Sequence, residues 1–104
     1  MYKMTSNNDL IPSSNVWPHV FKLAVEQDKP IMLDYWTTPD NGDEILIGVK
    51  QDTENNTNEK ILVKNAEEYT SPIVKIFKID NTYIICTENS IYITKSSIKS
   101  KQIS

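Results

Sequence analysis

Apolar residues recur at helical spacing in one stretch of the chain. Trp17, Phe21, Ala24 and Val25 repeat at steps of three and four, Val20 and Leu23 widen the stripe, and Lys22, Glu26 and Gln27 take the other side. Ser13, Ser14 or Asn15 is placed to cap this helix. Pro18 falls within the first turn, where a missing N–H costs nothing. Asp28-Lys29-Pro30 ends it, because the residue before a proline avoids helical torsions. Residues 1–12 are polar with scattered apolar positions and read as a loosely ordered arm that can serve as a partner-binding strand.

From Pro30 onward the pattern changes to short runs rich in Ile, Val, Tyr and Thr, separated by polar turns. The predicted strands are Ile31 to Trp36, Glu44 to Lys50, Lys60 to Lys64, Tyr69 to Ile79, Thr82 to Thr87 and Ser90 to Thr94. Asn41-Gly42 is the strongest turn signal, and Gln51 to Asn58 reads as a polar loop. Asp80-Asn81 and Glu88-Asn89 are two-residue connections of the kind that join hairpins. Pro72 would interrupt a central ladder, so it marks its segment as an edge or a bulge.

Five or six strands with one helix in front predict a mostly β, α+β domain, a small barrel or strongly bent sheet plugged by the helix. An SH3-like barrel is the first expectation and an OB-like barrel the second. The chain of 104 residues suits one such domain, over residues 13–95, with residues 96–104 as a lysine-containing tail.

Charge narrows the choice of partners. All the basic residues are lysine, so the planar guanidinium that grips phosphate or guanine bidentately is absent. A net charge of -3 repels polyanions and disfavours nucleic acid as the main partner. Heavy use of Ile, Asn and Lys with only 2 glycines points to an AT-rich genome. No continuous apolar run approaches the length of a membrane span, and the first residues lack the order of a signal peptide, so cytoplasmic residence is the expectation. The sequon at Asn55-Asn56-Thr57 reads as chance within a polar loop.

Little in the chain suggests catalysis or a cofactor. His19 has no second histidine with which to share a metal and no nucleophile at a recognisable spacing. Cys86 is the single cysteine and lies in the apolar run from Tyr83, where a buried structural thiol is expected. Asp34, Asp40, Asp43 and Glu44, with Asp52 and Glu54 further on, fall mainly in turns, where carboxylates stay solvated. They lack the frame of a calcium loop, and two glycines cannot build a phosphate-cradling loop. No catalytic residue, metal ligand or cofactor is expected.

The aromatic residues are more suggestive. Tyr35 and Trp36 are adjacent, so a strand would send one into the core and present the other. Trp36, Tyr69, Phe77 and Tyr92 are the candidate contacts to a protein partner or to a second copy, with Tyr69 to Ile79 as the edge that invites strand addition. The alternative is a single-stranded nucleic-acid or nucleotide binder in which Lys75, Lys78, Lys95 and Lys99 converge with Tyr83 and Tyr92.

Two resemblances bear on this reading. A helix leading through Lys29-Pro30 into Ile31-Met32-Leu33-Asp34-Tyr35-Trp36 resembles the opening of a thioredoxin fold, but Thr37-Thr38-Pro39-Asp40 stands where that family's Cys-x-x-Cys turn belongs, so no redox activity is implied. Over residues 28–94 the chain looks similar to short uncharacterised proteins of giant DNA viruses. Glu67-Glu68-Tyr69-Thr70-Ser71-Pro72 and Thr87-Glu88-Asn89-Ser90-Ile91-Tyr92 are the most distinctive stretches. That resemblance implies a viral origin, with residence in the host cytoplasm or the virion, and brings no activity with it. The expected function is a non-enzymatic binding or assembly module acting through protein–protein contacts.

Overall fold

The computed structural model describes residues 11–36 and 44–103. One helix, α1 (Trp17–Gln27), and seven strands follow in order: β1 (Ile31–Met32), β2 (Leu46–Asp52), β3 (Thr57–Val63), β4 (Ile73–Ile79), β5 (Thr82–Thr87), β6 (Ile91–Lys95) and β7 (Lys99–Gln102). They form a four-stranded sheet in the order β1-β6-β5-β4 and a three-stranded sheet in the order β3-β2-β7. The mostly β, α+β class follows the sequence pattern. The strands do not close into an SH3-like or OB-like barrel: they divide between two mixed sheets whose edge strands have no further strand partner among the described residues.

Period-two alternation in the four-stranded sheet explains how the layers stack. Ile84 and Cys86 of β5 with Ile91 and Ile93 of β6 face one side, where Val16, Val20 and Trp36 complete a core and Leu23 and Ala24 of α1 pack against it. Ile85 of β5 faces the other side and joins Tyr35, Ile45, Ile47 and Leu62, with Tyr83 and Tyr92 packed against them. The central sheet is therefore covered by α1 on one face and by the second sheet on the other. This double coverage accounts for a β5 in which only Tyr83 is not fully buried.

Local chemistry sets the helix ends differently from expectation. Ser13 and Asn15 do not cap α1, whose N-cap is Val16 without a side-chain hydrogen bond. Both instead donate to the Asp80 carboxylate, at 2.9 and 3.0 Å, and so tie the helix entrance to the β4–β5 turn. Pro18 does lie in the first turn. At the other end Asp28 adopts a left-handed φ of 54° and the Lys29 N–H donates to the Ala24 carbonyl at 3.2 Å, just before Pro30. The inward face of α1 is Val20 with Leu23 and Ala24, whereas Phe21 and Val25, expected in the stripe, are exposed at 56% and 82%.

Several strands also shift. Only Ile31 and Met32 of the predicted Ile31–Trp36 strand pair, parallel to Ile91 and Tyr92, after which the chain turns through Leu33 to Trp36. Gln51 to Asn58, expected as a loop, is largely hairpin: β2 and β3 pair from Leu46 opposite Val63 to Asp52 opposite Thr57. The turn closes on the Asp52 carboxylate, which accepts from the N–H groups of Glu54 and Asn55 and from Asn55 Nδ2. Tyr69 makes an isolated bridge to Val63, and the regular strand starts only at Ile73, after Pro72. Thr82–Thr87 is a strand as predicted, and Ile91–Lys95 lies one residue on from the predicted Ser90–Thr94.

The lysine-containing tail contributes structure as well. Lys99–Gln102 is β7, paired parallel to β2 from Leu46 opposite Lys99 to Val49 opposite Gln102. Asn41-Gly42, Asp40, Asp43 and residues 1–10 of the arm lie outside the described residues.

Candidate functional site

Strand β4 is the last strand of the four-stranded sheet, so among the described residues no strand pairs with its outer side. In an antiparallel pair, alternate residues turn their N–H and C=O groups away from the neighbour. Pairing with β5 from Ile73 opposite Thr87 to Ile79 opposite Thr82 therefore leaves a row of β4 backbone groups facing outward. The Pro72 carbonyl accepts from the Glu88 N–H at 3.2 Å. A break in register between Ile73 and Lys75 leaves Val74 outside the pairing and 65% exposed.

Beside this edge runs a groove of about 560 Å³ between α1 and β4. Leu23 from the helix, Phe77 and Ile79 from the strand and Ile84 from β5 give it an apolar lining. Its rim is mainly cationic, with Lys22 on α1 and Lys75 and Lys78 on β4 against one carboxylate, Glu26, among the described residues; the His19 imidazole also borders it. Lys22 and Glu26 share one side of the helix because they are four residues apart. Alternation places Lys75 on the same face of β4 as Phe77, and its ammonium lies 5.1 Å from the Phe77 ring centroid. None of Lys22, Lys75 and Lys78 has a described carboxylate within ion-pair distance; the ion pair among the described residues, Lys64 with Glu68, lies on a different segment.

The residues singled out in the sequence divide between several places. Phe77 lines the groove. Tyr69 is 59% exposed, where the chain approaches β4. Trp36 is only 8% exposed, in the core beneath α1, with the Lys95 ammonium 5.6 Å from its ring. Tyr92 packs on the opposite face of the central sheet, edge-to-face with Tyr35 at 5.1 Å. Both members of the Tyr35-Trp36 pair are buried, so neither is presented outward as a strand would require. Burial pushes the Tyr35 phenol well above the usual tyrosine range, and the nearby charges of Glu68, Tyr92 and Asp34 add to the shift.

Of the six residues in the nucleic-acid alternative, Lys75 and Lys78 meet at the groove. Tyr83 and Tyr92 pack against the core on the far face of the sheet, Lys95 lies by Trp36, and Lys99 is on β7 of the other sheet. The six do not form one surface. Sequence reasoning missed the contribution of α1, namely His19, Lys22, Leu23 and Glu26. Their spacing of three and four marks a helix side, but only the packing of α1 next to β4 makes that side a wall.

Cys86 is 1% exposed, and burial raises its thiol pKa, offset in part by Lys29, Gln27 and Lys75. Asp52 is occupied as the acceptor of its turn, and hydrogen bonds from Asn55 hold its carboxyl below the usual range. Among the described residues no group of three or more His, Cys, Asp or Glu side chains is placed to hold a metal ion, and no helix is long and apolar enough to cross a membrane. Comparison of the chain with protein-family models, with curated proteins and with solved structures finds no significant match.

Proposed function

We propose that this protein is a non-enzymatic binding module that takes up an extended segment of a partner protein along β4. The carrying observation is the terminal position of β4, whose outward N–H and C=O groups have no strand partner among the described residues and lie next to a groove with an apolar lining. An added strand satisfies those groups through main-chain hydrogen bonds, and its alternate side chains are read by the groove. A supporting feature is the rigidity of the platform: β5 beside it is held between two cores and β4 is anchored through Asp80 to the helix entrance. Phe77 and Tyr69 are the aromatic contacts in this reading. The resemblance to small proteins of giant DNA viruses supports a viral origin and work in the host cytoplasm or the virion.

Amide hydrogen exchange followed by NMR tests the proposal, with a panel of ten-residue synthetic peptides of extended, alternating pattern. Binding is expected to slow the outward-facing amides of β4, every second residue, while the amides already bonded to β5 change little. Protection mapped to other elements, or a panel in which every peptide leaves β4 unchanged, would refute it.

A further inference from the structure

We infer that the segment received at β4 is acidic, with Asp or Glu and apolar residues sharing the side chains that point towards α1. This rests on the strand-addition reading above and specifies the partner of the same site. The chain as a whole carries a net charge of -3, yet among the described residues the groove gathers Lys22, Lys75 and Lys78 against Glu26 alone. Local charge opposite to the average marks a surface arranged for a complementary ligand, because it steers that ligand in and rejects others.

Geometry then divides the work between the two kinds of side chain. A strand added to β4 lies about 4.8 Å from it. Every second side chain then points towards α1. Apolar residues at some of those positions extend the surface of Leu23, Phe77 and Ile79, and carboxylates at the others, on the same face, come within reach of Lys22 and Lys75.

The same lysines argue against a second copy of this chain as the occupant. Edge-to-edge pairing of two β4 strands would bring Lys75 and Lys78 of one copy against those of the other. Like charges across a ladder are destabilising, and edge lysines with a bulge are a known defence against such pairing. The register break next to Lys75 adds the bulge. An acidic strand meets none of this resistance.

Fluorescence anisotropy on the full chain decides the matter, with three labelled ten-residue peptides that repeat Val-Thr-Glu-Thr, Val-Thr-Gln-Thr or Val-Thr-Lys-Thr and so put Val and the test residue on one face. The Glu peptide is expected to bind about tenfold more tightly than the Gln peptide, the yield of a few partly exposed ion pairs. That advantage should fade between about 50 mM and about 500 mM salt. Charge reversal at Lys22→Glu with Lys75→Glu should abolish the preference and admit the Lys peptide, whereas Lys60→Glu on β3 should change nothing; circular dichroism and the thermal midpoint establish that each variant is folded. Equal binding of the Glu and Gln peptides, with β4 amides protected by both, overturns the acidic partner and leaves strand addition standing. Absence of binding by all three peptides with unprotected β4 amides overturns both readings. A mixed-sequence single-stranded oligodeoxynucleotide that binds more tightly than the Glu peptide overturns the inference in favour of nucleic acid. A salt-insensitive dimer in light scattering overturns it in favour of a second copy.

Discussion

Tyr35 and Trp36 are consecutive in the chain and buried in different cores. Trp36 packs with Val16, Val20 and Ile91 under α1, while Tyr35 packs with Ile45, Ile47 and Ile85 between the sheets. The segment passes the edge of the central sheet, and one peptide unit secures both layers to it. Trp36→Ala should cost about 3 to 5 kcal/mol, as expected for loss of a large buried aromatic side chain. Tyr35→Ala should cost a similar amount and lower the same single unfolding transition in urea. Two separate transitions would mean that the layers fold independently.

Ile85 reports on the second core alone. It is fully buried opposite Tyr92 and belongs to the cluster between the sheets. Ile85→Ala is expected to destabilise the protein by about 2 to 5 kcal/mol. A loss below about 0.5 kcal/mol in chemical denaturation would place Ile85 outside the core and contradict the β5 register.

Asp80 gives the fold an acid-sensitive contact. Its carboxylate accepts from Asn15 Nδ2 and Ser13 Oγ, and these hydrogen bonds, Asn15 first, hold its pKa below the ordinary 3.8. A folded pKa below the unfolded one means that the contribution is fully present above the unfolded value and disappears as pH falls from there through the folded value. Stability should therefore drop below about pH 4, the ordinary aspartate range. Asp80→Asn keeps a side chain that tolerates the left-handed φ of 53° while removing the charge. Thermal midpoints measured against pH should show a shallower acid limb in that variant. Identical profiles would show that the Asp80 charge is not linked to folding.

The elements that read well in the sequence are those whose signal is local. Thr82–Thr87 sits between Asp80-Asn81 and Glu88-Asn89, and its strand is bounded by those turns. Pro72 marked its segment as an edge or a bulge; the ladder begins only after it, at Ile73, on the last strand of the sheet and with a register break before Lys75. Misreadings arise where tertiary contacts decide. Gln51 to Asn58 is too polar to look like strand, yet the backbone ladder of the β2–β3 hairpin extends into solvent without burying side chains. Phe21 and Val25 fit a helical stripe as well as Val20 does, and only the position of the sheet selects the inner face. The candidate site was half legible: Phe77, Lys75 and Lys78 stood out on β4, and the wall supplied by Lys22 and Leu23 depends on a packing that spacing does not specify.

Gly48 supplies the last test, of how the C-terminal strand seats on β2. A Cβ added there would lie 2.7 Å from the Ile103 Cδ1 and 3.1 Å from the Val63 Cγ2, so the close approach of Ile103 needs a residue without a side chain. The nearer atom is the end of a flexible side chain that is 40% exposed, so the strain can be relieved by swinging Ile103 away from β2. Gly48→Ala should therefore cost about 1 to 2 kcal/mol, at the lower end of overpacking. In an Ile103→Ala background most of that penalty should vanish, because the atom in conflict is gone. A double-mutant cycle by urea denaturation reads the coupling directly. Additive effects of the two substitutions would mean that Ile103 does not pack over Gly48, and that β7 pairs with β2 through its backbone alone.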